Sequence, residues 1–135
     1  MSDDAAPGAR VVGLKRRREY LAAARGLKAG RDAFLLQAVR RGGDDAAGEI
    51  GVGITVTRKI GGAVVRNRAR RRLREALRRV LPGPARPGHD YVVVARPGAL
   101  KQPFAGLVRD LGSAIRGLSG RLPDPSGRPG DRTRA

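Results

Sequence analysis

The chain has no cysteine and no tryptophan, and only two tyrosines, two phenylalanines and one histidine in 135 residues. Without cysteine there is no disulfide scaffold, no thiolate zinc site and no thiol nucleophile. No apolar run approaches the roughly 18 residues that would cross a bilayer. The opening MSDDAAPGAR lacks the apolar core of a signal peptide. Acid is also scarce, with 12 Asp and Glu against 29 Lys and Arg. These acids (Asp32, Asp44, Asp45, Glu49, Glu75, Asp90 and Asp110 among them) are scattered, whereas a Mg²⁺-dependent nuclease clusters its carboxylates. His89 reads as a surface-loop residue beside Gly88, and Asp44-Asp45 as turn residues. Gly51-Val52-Gly53 is no phosphate loop, because no GK[ST] follows. The inventory yields no nucleophile–base pair.

What the chain has is positive charge. A net +17 and a pI near 11.8 are the footprint of a nucleic-acid binder. A membrane binder would set Trp or Phe opposite its charges, and this chain has no Trp and only two Phe. The charge peaks in Arg58–Val80, RKIGGAVVRNRARRRLREALRRV, with ten basic residues and one acid. After Gly61-Gly62 the spacing predicts an amphipathic helix. Val65, Ala69, Leu73, Ala76, Leu77 and Val80 form its apolar stripe. Arg68, Arg70, Arg71, Arg72, Arg74, Arg78 and Arg79 fan over the rest. A helix stabilised only by water mixes its charges; this one repels itself unless a polyanion neutralises it. Arginine, whose planar fork grips phosphate, suits that role.

Residues 1–13 and 121–135 read as disordered termini around a single domain, 14–120. Leu14–Arg25 reads as a short helix carrying a second basic cluster, Arg16-Arg17-Arg18. Ala33–Val39 reads as a strand and Arg40–Glu49 as a loop. Ile50–Thr57 alternates: Ile50, Val52, Ile54 and Val56 form a core face, while Gly51, Gly53, Thr55 and Thr57 form a flat one. Asp90–Arg96 is a nearly all-apolar strand, so central and covered on both sides. Phe104–Leu118 is a second long amphipathic helix. Tyr91 and Phe104 read as core. The order predicts an α+β (α/β sandwich) fold with a small central sheet, and parallel strands flanking the basic helix.

The spaced pattern Arg58-Lys59, Gly61, Ala63-Val64, Arg66-Asn67-Arg68, Arg70-Arg71, Arg74-Glu75 resembles the signature of the protein subunit of bacterial ribonuclease P. LKRRREY, GVGITVTRK and DYVVVAR resemble the segments around it, in the family's order, over about residues 14–118. The resemblance implies a layout αβββαβα, similar to a domain of a small-subunit ribosomal protein. It further implies a short strand near Leu27–Gly30 and a left-handed crossover through the basic helix. It implies a catalytic RNA subunit and precursor tRNA as partners. The chemistry would be 5′-leader removal, supported by Mg²⁺ held chiefly by RNA, with no catalytic residue in the protein and no obligate protein partner. A cytoplasmic location follows. By position, the RNA-facing set is Arg58, Lys59, Arg66, Asn67, Arg68, Arg70, Arg71 and Arg74. The leader-facing cleft is Tyr20, Phe34, Thr55 and Thr57. Ala24 stands where the family often has a second aromatic. A basic ribosome-associated protein and a protein-only nuclease are the competing readings.

Overall fold

A computed structural model describes residues 10–42 and 48–122. Asp44-Asp45 and most of the two predicted disordered termini lie outside them. The described elements are β1 (Arg10–Gly13), α1 (Arg17–Ala24), β2 (Leu27–Gly30), β3 (Phe34–Arg40), β4 (Glu49–Thr55), a 3-10 turn (Arg58–Ile60), α2 (Ala63–Val80), β5 (His89–Ala95), α3 (Gly98–Lys101) and α4 (Phe104–Ser119). The layout αβββαβα is present, extended by β1 and the one-turn α3. None of the described helices is long and apolar enough to cross a membrane.

The described strands make one sheet in the order β1-β4-β5-β3-β2. β4 and β5 run parallel, as a strand–helix–strand unit requires, and β5 lies between β4 and β3. Its apolar run is therefore buried on both faces: Tyr91, Val92 and Val93 are almost wholly inaccessible. On one face Phe34, Leu36, Ala38, Ile50, Tyr91 and Val93 meet Ala69, Leu73 and Leu77 of α2 and Leu107, Leu111 and Ile115 of α4 in the main core. On the other face α1 covers a smaller cluster, in which Leu14, Ala23 and Val92 pack with Tyr20, Val39 and Val94.

Three boundaries differ from the sequence reading. β1 falls within residues expected to be disordered, because it pairs in parallel with β4 some forty positions away. α1 begins at Arg17 rather than Leu14: the Leu14 N–H still donates to the Val52 carbonyl (2.9 Å), and Glu19 accepts from the Lys15 and Arg16 N–H groups (3.0 and 2.9 Å). Those hydrogen bonds, that from Arg16 most of all, hold the Glu19 carboxyl below its ordinary value. At the other end, Leu122 is buried in the main core and its carbonyl accepts from Arg86 (3.0 Å), so the folded unit runs past residue 120. The stripe on α2 is also narrower than expected. Val65 is 36% exposed.

His89 is not a surface residue. It opens β5, is fully buried, and its Nε2 has no hydrogen-bond partner among the described residues. Burial pushes its pKa down, while the carbonyl of Pro87 at Nδ1 (3.3 Å) pulls the other way. The folded state therefore resists a proton that the unfolded chain accepts near pH 6.5. Stability is complete above that pH and is lost as pH falls from there toward the lower folded value, by at most about 1.4 kcal/mol per pH unit. Urea midpoints at successive pH values should fall below pH 6.5 for the native chain and fall less for His89→Gln. Parallel curves would show that His89 does not carry the dependence.

Candidate nucleic-acid interface

The helical repeat divides the arginines of α2 among different surroundings. Arg70, Arg74 and Arg78, four residues apart, stand on one flank beside the buried stripe and line a cleft of about 570 Å³. Its other walls come from β1, β4 and Tyr20 of α1. The cleft exists because β1 is short. Its register ends with Gly13 opposite Val52, so Gly53–Thr55 form an edge with no β1 partner. Tyr20 lies over that edge, its hydroxyl 3.4 Å from the Leu14 carbonyl. A side chain at Gly53 would place its Cβ 2.6 Å from the Tyr20 ring, so only glycine lets the ring lie against the strand. The flat face of β4 is thus partly occupied by the protein itself: Tyr20 covers Gly53, and Leu14 with the Arg41–Asp90 ion pair covers Gly51.

Phe34 cannot join this cleft. It shares a face with Leu36 and Ala38, is fully buried, and belongs to the core beneath α2 and α4, on the far side of the sheet from Tyr20. Two-residue periodicity fixes this, since moving Phe34 to the α1 face would turn Leu36 and Ala38 with it. Thr55 closes β4 and Thr57 precedes the 3-10 turn; both lie outside the cavity. Tyr20 is therefore the cleft's aromatic among the described residues.

The second face of α2 looks outward. Asn67, Arg68, Arg71 and Arg74 are exposed, as are Arg58 and Lys59 on the 3-10 turn. Arg68 and Arg71 border a shallow hollow with Phe104. Arg66 is half-buried, and its Nε is buried with no partner among the described residues. Arg70 donates to Asn67 Oδ1 (3.3 Å), so the asparagine helps aim a cleft arginine. Phe104 is half-buried rather than core, and carries the Arg79 guanidinium 5.2 Å above its ring. Arg72 departs from the expected fan. It donates to the carbonyls of Ala99 (3.0 Å) and Gln102, tying α3 to α2. Its charge serves the fold.

Acids near these faces are engaged. Glu75 pairs loosely with Arg78 and Arg79 at 3.6 and 4.0 Å. Glu19, Glu49 and Asp90 surround Arg41 at 3.8, 3.3 and 2.7 Å. Asp110 accepts from Gln102 (2.9 Å). The described residues contain no cluster of three or more His, Asp or Glu able to hold a metal ion.

A family model described as Ribonuclease P matches residues 9–119. The chain belongs to the ribonuclease P protein family. It is 47% identical over 111 residues to the ribonuclease P protein component of Ruegeria pomeroyi, covering 82% of this chain and 88% of that one. Against the same component from Caulobacter vibrioides it is 47% identical over 109 residues, 81% of this chain and 72% of the other. The solved ribonuclease P protein of Thermotoga maritima superposes with a TM-score of 0.66 at 27% identity, covering 81% of this chain and 99% of that structure. The family match begins before β1, in keeping with that strand's place in the sheet. The short β2, expected from the family alone, is present at Leu27–Gly30. Sequence reasoning missed Arg78 as a cleft residue, although its i+4 spacing from Arg74 was the available signal. Tyr20 was among the cleft residues that the resemblance implied; its close seat on Gly53 is what the structure adds.

Proposed function

We propose that this chain is the RNA-binding subunit of ribonuclease P and that its two basic surfaces take different RNAs. The outward face of α2 and the 3-10 turn (Arg58, Lys59, Arg66, Asn67, Arg68 and Arg71) holds the catalytic RNA. The cleft, with Tyr20, Arg70 and Arg74, holds the single-stranded 5′ leader of precursor tRNA. The cleft supports this reading most: it offers guanidiniums to a backbone along one wall and one aromatic face to a base.

The protein's work is electrostatic and positional. Two RNAs repel each other, and a +17 chain between them lowers that cost. Mg²⁺ carried by the RNA would supply charge stabilisation for the hydrolysis. This chain's residues hold and orient the leader. Cytoplasmic action fits the substrate.

Reconstitution tests the proposal. Added to its cognate RNA subunit at low Mg²⁺, the chain should stimulate 5′-leader removal, and alone it should cut nothing. About five neutralised phosphates predict a log–log salt slope of roughly −3.5 to −4.5. Absence of stimulation, or cleavage by the chain alone, would overturn it.

A further inference from the structure

α2 has one more basic surface, which the sequence did not isolate. Its C-terminal end and α4 border a groove of about 600 Å³. Arg78 and Arg79 stand on the α2 side, Arg109 and Arg116 on the α4 side, with Gly112 and Ser113 between them. Arg109, Ser113 and Arg116 are exposed. Among the described residues, no acid and no aromatic lines the groove. Glu75 makes only exposed and distant pairs with Arg78 and Arg79, which carry little energy. A fifth guanidinium, that of Arg31, donates to Ser113 Oγ (3.4 Å).

Guanidiniums on both sides of a trough suit a chain of phosphates. The absence of a stacking surface means that a strand there would be held by its backbone and not by its bases. Arg78 lines this groove and also the cleft on the opposite flank of α2. The two cavities therefore meet at Arg78, with Leu81 also lining both.

We infer that the α2/α4 groove is a second RNA track, which takes the distal, 5′-ward phosphates of the leader after it leaves the cleft past Arg78. The inference rests on the leader reading of the cleft. Binding in the groove is sequence-indifferent and depends on leader length and salt.

The test uses holoenzyme reconstituted with the cognate RNA and precursor tRNAs whose leaders lengthen one nucleotide at a time. The native chain should keep gaining affinity after the cleft is filled. Arg109→Glu with Arg116→Glu should stop gaining there. On the longest leader it should lose about 1.4 from the log–log salt slope, two single-strand phosphates' worth, and on the shortest nothing. Arg109→Ala with Arg116→Ala should do the same more weakly, and both should keep the native melting midpoint. A double variant that tracks the native chain at every length overturns the inference. So does an equal loss at every length, which would assign the groove to the catalytic RNA. Arg70→Ala separates the two readings: a loss already present on the shortest leader upholds the cleft even if the groove fails. No dependence of the native chain on leader length would sink both.

Discussion

Arg70→Ala combined with Arg74→Ala should weaken binding of leader-bearing precursor tRNA to the reconstituted enzyme by about 2–3 kcal/mol, roughly 30- to 150-fold in Kd. Both side chains stand on the cleft wall, and neither supports the core. Each lost phosphate contact removes about 0.7 from the salt slope, so the pair should flatten it by about 1.4. Arg72→Ala is the control from the same helix. Its guanidinium is committed to α3 carbonyls, so the loss should appear in the melting midpoint and leave the salt slope unchanged. Titrating fluorescent precursor tRNA at several salt concentrations decides the matter. A native slope in the double variant, or a flattened one in Arg72→Ala, would contradict the division of α2 into an RNA-facing flank and a structural flank.

Gly51→Ala should cost about 3 kcal/mol or more and lower the melting midpoint by roughly 15 °C. The new Cβ would lie 2.0 Å from Asp90 Oδ1, 2.7 Å from Arg41 Nη1 and 2.8 Å from Leu14 Cδ2. Arg41 and Asp90 meet at 2.7 Å with side chains 17% and 7% exposed. Burial pushes the Asp90 carboxyl up, and the Arg41 hydrogen bond opposes that push. In return the Asp90 carboxylate strengthens Arg41's hold on its proton. Prising the pair apart leaves two poorly solvated charges, which costs far more than a surface pair contributes. Arg41 also reaches Glu49 of β4 and Glu19 of α1, so the damage would extend to the seating of α1. Gly53→Ala is the informative neighbour, because it pushes only on the Tyr20 ring at the open cleft. Thermal melts that place Gly51→Ala within 1 kcal/mol of the native protein would show that the pair is not held this tightly.

The elements with strong periodicity were legible. Apolar residues recur along α2 and α4 at helical spacing, and β4 alternates residue by residue. The unbroken apolar run of β5 announced a strand covered on both faces, and it lies between β3 and β4. The signature around Arg66-Asn67-Arg68 was long enough to carry the family. Elements whose stability comes from distant partners were not legible. β1 has four residues and an exposed pattern, and only its hydrogen bonds to β4 make it a strand. His89 reads as a loop residue until β5 is seen to begin with it. Phe34 and Tyr20 look equivalent in sequence, yet the sheet separates them onto opposite faces.

By itself the sequence determined that a surplus of arginine is mounted on an amphipathic helix, and that this helix belongs to a small α+β domain. Composition and periodicity settle such matters because they depend on residue type and local spacing alone. Tertiary structure decided what each arginine of that helix faces: Arg70 and Arg74 a cleft, Arg72 the carbonyls of α3, Arg79 the ring of Phe104, and Arg78 the boundary between two grooves. Helical spacing gives the direction in which a side chain points, but what it meets there depends on how β1, α3 and α4 pack around it.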